Sequence, residues 1–282
     1  MKIVTDQSFD QERAFYGEEG LVVRDCAIDG PADGESAFKE CRDVTVESTL
    51  LNLRYPFWHD AGLVVRDATM TEACRAALWY SRDVTIEDSR LHGIKALREC
   101  DDVALARCDV DSPEFGWMVR GARLEDCTVR GEYAFMRSSR LRLRDVRLEG
   151  KYTFQYTEDV VIENSVLDTK DAFWHAHGVT VRNSVIRGEY LGWYSDGLTL
   201  INCRIEGTQP LCYARNLTLV DCQMVGCDLA FEKSEVQATV TTPIDSVKNP
   251  ASGTIVAPCV GELVMDDPRA RGVVVRPARA CA

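Results

Sequence analysis

The chain contains no apolar run of 18 residues, so it encodes no membrane-spanning helix, and Met1 to Asp10 lacks the apolar core of a signal peptide. Both absences point to the cytoplasm and away from a membrane partner. Only four histidines are present, with no Cys-x-x-Cys and no Cys/His cluster at zinc spacing, so neither a metal nor a cofactor is expected. Also missing are a Gly-x-Ser-x-Gly elbow, a phosphate loop and a dinucleotide fingerprint; Gly20 and Gly62 open strands rather than helices and offer no anion cradle. Basic residues are outnumbered, 33 against 45 acidic, and the net charge of −12 argues against nucleic-acid binding. Helical periodicity is absent as well.

What is present is a period. Ile86, Leu105, Leu124, Leu143, Ile162, Val181, Leu200 and Leu219 follow one another at 19 residues without slippage. Weaker copies reach back through Val65, Val46 and Val23, which gives about eleven coils. Around each anchor the chain reads apolar, any, apolar, any, Asp or Asn, small, as in Val179-Thr180-Val181-Arg182-Asn183-Ser184. Alternation at period 2 with Val, Ile and Thr is strand patterning, and a fixed period this long marks a solenoid whose units bury their apolar faces against one another. Hexapeptide helices need coils divisible by six, and leucine-rich repeats need a helix in each unit. The expected fold is therefore all-β, a single-stranded right-handed parallel β-helix with three short strands per coil. The polar column Asp126, Asp145, Asn164, Asn183, Asn202, Asp221 suits a left-handed corner, and Gly131, Gly150, Gly188, Gly207 and Gly226 mark the next one.

One domain is expected over 1–282: an N-terminal cap over 1–19, regular coils over 20–233, and irregular coils with a cap over 234–282, where Pro243, Pro250 and Pro258 break the period. Cysteine is abundant, with twelve residues. Cys26, Cys108, Cys127, Cys203 and Cys222 share an inward slot that elsewhere holds Ser or Ala, and read as small packing residues.

All five tryptophans, Trp58, Trp79, Trp117, Trp174 and Trp193, lie seven residues before the next anchor. The following slot holds His59, Tyr80, Arg137, Tyr156, His175, Tyr194 and Tyr213; the preceding slot is apolar and the one after both is small. Two registers fit. Either Trp and the small residue face inward, or a backbone kink turns Phe and the small residue inward and displays a Trp/His/Tyr sheet. Both leave aromatics on an outer face, which marks a binding strip. Charges precede this strand at Lys95, Glu114, Glu132, Lys151, Lys170, Asp171 and Glu189. Lysines interrupt the row, so an alternating-charge ladder competes with catalysis. Asp171 and Glu189, beside Trp174, His175, Tyr190, Trp193 and Tyr194, form the best candidate acid–base pair, with His175 as a third member. His92 and His177 read as structural, and Asp196 as a turn residue before Gly197.

Six segments carry a resemblance: Gly34-Glu35-Ser36, Lys170-Asp171-Ala172-Phe173-Trp174, Gly188-Glu189-Tyr190-Leu191-Gly192-Trp193, Gln209-Pro210-Leu211-Cys212-Tyr213, Asp228-Leu229-Ala230-Phe231-Glu232 and Ser246-Val247-Lys248-Asn249-Pro250. Over essentially its whole length the chain resembles a bacterial family of unknown function in the pectin-lyase-like β-helix superfamily. The resemblance implies the right-handed fold and no established activity or catalytic residue. Enzymes of the wider superfamily act on polysaccharides in a groove along one sheet, an analogy at the level of fold.

Two functions are carried forward. In the first, the aromatic strip binds a saccharide and Asp171, Glu189 and His175 hydrolyse, cleave or isomerise it. In the second, the same face is a non-catalytic interaction surface, including one between copies of the chain, since Trp and Tyr anchor interfaces.

Overall fold

The computed structural model describes residues 2–30 and 35–275. Gly34 of the first resembling segment, Met1 of the expected N-terminal cap and residues 276–282 of the expected C-terminal cap lie outside the described residues. The chain forms two compact units, Met1–Arg142 and Leu143–Ala282. The fold is an all-β parallel solenoid with coils about 19 residues apart and no helix among the described residues. Accordingly, no helix there is long and apolar enough to cross a membrane.

In the first unit the anchor strands are Lys2–Thr5, Leu21–Arg24, Arg42–Glu47, Ala61–Arg66, Arg82–Glu87, Asp101–Ala106 and Arg120–Glu125. In the second they are Glu158–Glu163, His177–Arg182, Thr199–Ile201, the start of Leu217–Val225, Glu235–Val240, Ser252–Val256 and Val273–Val275, with Ser139–Arg144 at the division. Pairing is parallel and in register with the period: Ile86 faces Leu105, Val181 faces Leu200, and Leu200 faces Leu219. The anchors themselves are buried and the Thr positions between them half-buried, as a strand packed on one face requires. The count is about 14 turns rather than eleven. The difference arises at the ends, where Lys2–Thr5 pairs with Leu21–Arg24 at the 19-residue spacing and Glu235–Val240 pairs with Ser252–Val256 at a shortened one.

The corner after each anchor strand is left-handed in the polar column: Asp145, Asn164, Asn183, Asn202 and Asp221 have φ between 49° and 55°. Beyond it the small slot satisfies backbone donors between coils. Ser165 Oγ accepts the Val146 N–H at 3.0 Å, Ser184 Oγ accepts the Ser165 N–H at 2.9 Å, and each hydroxyl donates to the carbonyl two residues before it. The five cysteines in this slot are buried, as their position implied.

The third side departs from the expected strand. Among the described residues, Phe57–Trp58, Leu78–Trp79 and Leu97–Arg98 form a three-stranded sheet there in the first unit, and Ile244–Lys248, bridged to Ala230, pairs with Val260–Val264 in the last coils of the second. In the earlier coils of the second unit this side is a run of turns joined from coil to coil by backbone bonds such as Tyr156 N–H to Trp174 O at 2.9 Å and Phe173 N–H to Thr153 O at 3.0 Å. Left-handed residues at alternate positions, such as Asp171, Phe173 and His175, bend the chain too sharply for strand geometry. Phenylalanines stack beneath it, Phe15–Phe38–Phe57 at 5.0 and 5.1 Å in one unit and Phe154–Phe173 at 5.1 Å in the other.

Candidate functional site

The kinked register is the one adopted. His59, Tyr80, Arg137, Tyr156, His175, Tyr194 and Tyr213 all have φ between 52° and 63°. A left-handed residue breaks the strand alternation, so two successive side chains face outward while the Phe before them and the small residue after them face inward. Phe57, Phe135, Phe154 and Phe173 are fully buried, as are Ser81, Ser138, Thr157 and Ser195 within 1%. Each such residue costs about 1 kcal/mol of backbone strain, comparable to the 0.5–1.5 kcal/mol that an aromatic pair returns.

In the second unit the displayed rings form a continuous ladder. Tyr156 lies 5.1 Å from His175 at 6°, His175 lies 5.0 Å from Tyr194 at 9°, and Tyr194 lies 4.9 Å from Tyr213 at 13°. Neighbouring rings cover one another's faces, so the ladder offers solvent a row of ring edges, one per coil. Tyr156 and Tyr194 remain 46% and 42% exposed. Tyr213 closes the row against Glu232, its hydroxyl donating to Oε2 at 3.4 Å; burial first and the Glu232 charge second push its phenol up. Beside the ladder, Trp193 meets Tyr190 edge-on at 5.2 Å and donates its indole N–H to Gln209 O at 2.7 Å. Trp174 lies tilted 6.5 Å from Trp193, its Nε1 buried without a partner.

The first unit carries a second patch. Trp58 stacks on Trp79 at 5.6 Å and 11°, and His59 on Tyr80 at 5.0 Å and 17°. Cations cap the tryptophans in their own slot: Lys39 lies 4.2 Å over Trp58, and Arg98 lies 5.6 Å from Trp79 and 5.8 Å from Trp117. Trp117 donates to Tyr133 O at 2.7 Å.

The row of charges is an ion-pair ladder where its partners are seen. Lys95 pairs with Glu114 at 3.2 Å and Lys170 with Glu189 at 2.7 Å, and Lys170 also lies 5.0 Å over the Tyr190 ring. Glu189 is thus held by a lysine, while Asp171 is 8% exposed. Burial pushes the Asp171 carboxyl up, the Lys170 charge opposes this, and Glu189 adds to it. His175 is sandwiched in the ladder. The three candidate catalytic residues therefore share a neighbourhood but stand in different rows: Glu189 in the ion-pair row, Asp171 one slot inward, His175 among the rings. Outside it, His92 bonds Asp109 at 3.1 Å and Asp196 accepts from Asn216 Nδ2 at 2.7 Å. Among the described residues no group of three or more His, Cys, Asp or Glu is placed to hold a metal ion.

Two participants escaped the sequence reading. Lys39 stands 19 residues before Trp58, so counting the slot back one coil finds it. Asp60 occupies the small inward slot beside His59; a carboxyl in a column of Ser, Cys, Thr and Ala is itself the signal.

These features define the class: a parallel β-solenoid with an aromatic outer side built on left-handed kinks. The chain belongs to the DUF3737 family, proteins of unknown function, whose model matches residues 2–275. No curated protein matches the sequence. Among solved structures it is similar to the A-module of the mannuronan C-5 epimerase AlgE6 of Azotobacter vinelandii, at 13% identity and a TM-score of 0.34 over 94% of this chain and 92% of that one. It is also similar to HetL, a pentapeptide repeat protein of the cyanobacterium Nostoc involved in heterocyst differentiation regulation, at 16% identity and a TM-score of 0.28 over 80% and 92%. A third is the tailspike protein of the E. coli bacteriophage HK620, at 9% identity and a TM-score of 0.38 over 96% and 65%. No residue role passes from these proteins to this chain.

Proposed function

We propose that this protein binds an extended saccharide along the aromatic side of its second unit, with Tyr156, Trp174, His175, Trp193, Tyr194 and Tyr213 as the contact row and Lys170 and Tyr190 at its margin. The ladder supports this reading most directly: polar ring edges recur at 4.9–5.1 Å, about the length of one sugar unit in an extended chain. Because the ladder rings cover each other's faces, recognition runs through the tyrosine hydroxyls and the imidazole nitrogen, with the neighbouring indoles supplying apolar contact. The Trp58, His59, Tyr80 and Trp79 patch, with Trp117, is a second contact area of the same kind in the first unit, and Arg137 a polar contact there.

Binding is favoured over turnover because Glu189 is neutralised by Lys170 at 2.7 Å. If turnover occurs, Asp171, raised by burial, is the acid, with Glu189 and His175 as its partners. A saccharide array probed with wild type, Trp174→Ala and His175→Phe tests the reading: binding lost in both variants supports it. No binding to any saccharide, together with a dimer that Trp174→Ala dissociates, overturns it in favour of the interaction surface.

A further inference from the structure

The period places like residues on adjacent coils, and at two points it stacks thiol on thiol: Cys108 with Cys127, and Cys203 with Cys222. The flanking residues Arg204 and Gln223 are paired in parallel register, so Cys203 and Cys222 are neighbours across one coil step. Both are buried and free. One coil apart, they make the same contacts: Cys203 Sγ donates to the carbonyls of Val181 at 3.4 Å and Ile201 at 3.3 Å, and Cys222 Sγ to those of Leu200 at 3.3 Å and Val220 at 3.6 Å. Donation to the carbonyl two residues before is also what Ser184 Oγ does, to Arg182 O at 2.7 Å, one coil earlier.

Cys203 of the pair also lines a surface pocket. The pocket, of about 290 Å³, is also lined by Asn183, Ser184, Asn202, Arg204 and Gln223. Asn202 Nδ2 donates to Asn183 Oδ1 at 2.9 Å across its rim. At its edge Arg204 is ion-paired with Glu206 at 2.5 Å and reaches Gln223 Oε1 on the next coil at 3.4 Å.

We propose that Cys203 and Cys222 form a two-coordinate site for a soft monovalent cation with a filled d shell, copper(I) or silver(I), entered from this pocket. Thiolate sulfur selects such ions. A metal–sulfur bond of roughly 2.3 Å puts the sulfurs of a linear site about 4.6 Å apart, close to the coil repeat of about 4.8 Å. A disulfide, with Cβ atoms about 3.8 Å apart, would instead draw the two coils together by about 1 Å against the backbone ladder. Binding replaces two S–H bonds by two metal–sulfur bonds and releases two protons to solvent. The resulting bis-thiolate complex carries one negative charge. Sequence spacing alone does not announce the site, because the ligands are 19 residues apart and adjacent only through the coil.

The test is anaerobic titration of the full chain with copper(I) against a chromophoric copper(I) chelator, for wild type, Cys203→Ser/Cys222→Ser and Cys108→Ser/Cys127→Ser. Serine already fills this slot at Ser165 and Ser184, so the variants keep the fold, which circular dichroism verifies. Wild type is expected to take up one equivalent more than Cys203→Ser/Cys222→Ser, with sulfur-only coordination by X-ray absorption, and Cys108→Ser/Cys127→Ser to retain that equivalent. Equal uptake by wild type and Cys203→Ser/Cys222→Ser overturns the proposal. So does a Cys203–Cys222 disulfide formed on adding copper, read as the loss of two hydrogens in the intact mass with no metal retained.

Discussion

Asp60 accepts the backbone N–H of Cys41 through Oδ1 at 2.8 Å, while its Oδ2 is buried without a partner. It fills the slot in which Ser81 Oγ accepts the Asp60 N–H at 3.2 Å one coil later, so a carboxyl does a hydroxyl's work. Burial pushes Asp60 up to about 8; the Cys41 N–H opposes this and Glu40 adds to it. Its proton also keeps the Cys41 thiol, itself raised to about 12 chiefly by burial, from a second buried charge.

The sign of the resulting pH dependence follows from linkage. The folded group binds its proton up to about 8, whereas the unfolded carboxyl loses it near its ordinary value of 3.8. Stability from Asp60 is therefore fully present below pH 3.8 and is lost as pH rises toward 8. Asp60→Ser keeps an acceptor for Cys41 and removes the titration. It is expected to raise the unfolding free energy at pH 8 by on the order of 2–4 kcal/mol and to flatten its slope between pH 5 and 8. Urea unfolding across that range measures both; a variant less stable than wild type at pH 8 would refute the argument.

His175 is the joint of the second unit's ladder, stacked on Tyr156 and on Tyr194. Removing its ring in His175→Ala forfeits two stacks, a loss of about 1–3 kcal/mol. His175→Phe keeps a ring between the tyrosines and should unfold within about 0.5 kcal/mol of wild type, while lacking the nitrogen that the proposed ligand contacts. Thermal unfolding separates the two variants; equal destabilisation by both would show that the imidazole is held by something other than stacking.

The period, the anchor strands, the left-handed polar corner and the inward cysteines were all legible, because stacking forces each coil to repeat them. The third side was not. Phe173, Trp174 and His175 are all ring-bearing, so burial alternation leaves no trace in their composition, and the left-handed φ of 52° at His175 runs against its intrinsic preference. The extra coils were hidden for another reason: Lys2–Thr5 and Val273–Val275 keep the 19-residue spacing without the full apolar and polar pattern around it, and the step from Glu235–Val240 to Ser252–Val256 is shorter than the period. Asp171 and Glu189 looked like a pair because they are near in sequence number across one coil. The lysine that claims Glu189 is its own coil-to-coil neighbour, Lys170, 19 residues earlier.

The asparagine corner gives a sharper test of backbone demand. Asn183 sits at φ 49° and accepts from Asn202 Nδ2 at 2.9 Å. Asn183→Val places a β-branched side chain in the left-handed region and removes the acceptor, which costs about 2–3 kcal/mol. Asn183→Gly relieves the strain and loses only the side-chain bond, so it should fall within about 1 kcal/mol of wild type. Chemical denaturation ranks the two, and a valine variant as stable as the glycine one would mean the corner is not held left-handed.

Two glycines of the second corner column should respond in opposite degree. At Gly207, φ is 134° and an added Cβ would come 2.2 Å from the carbonyl oxygen of Gly188 on the preceding coil. That oxygen belongs to backbone, which cannot swing aside as a side chain can. At Gly226, φ is 62° and nothing lies within 4 Å of the added atom. Gly207→Ala must therefore push two coils apart, and is expected to cost more than about 3 kcal/mol or to prevent folding. Gly226→Ala meets only the left-handed backbone penalty of about 1 kcal/mol. Soluble yield and melting temperature of the two variants measure the contrast. Comparable losses would mean that close approach between coils is not what reserves this column for glycine.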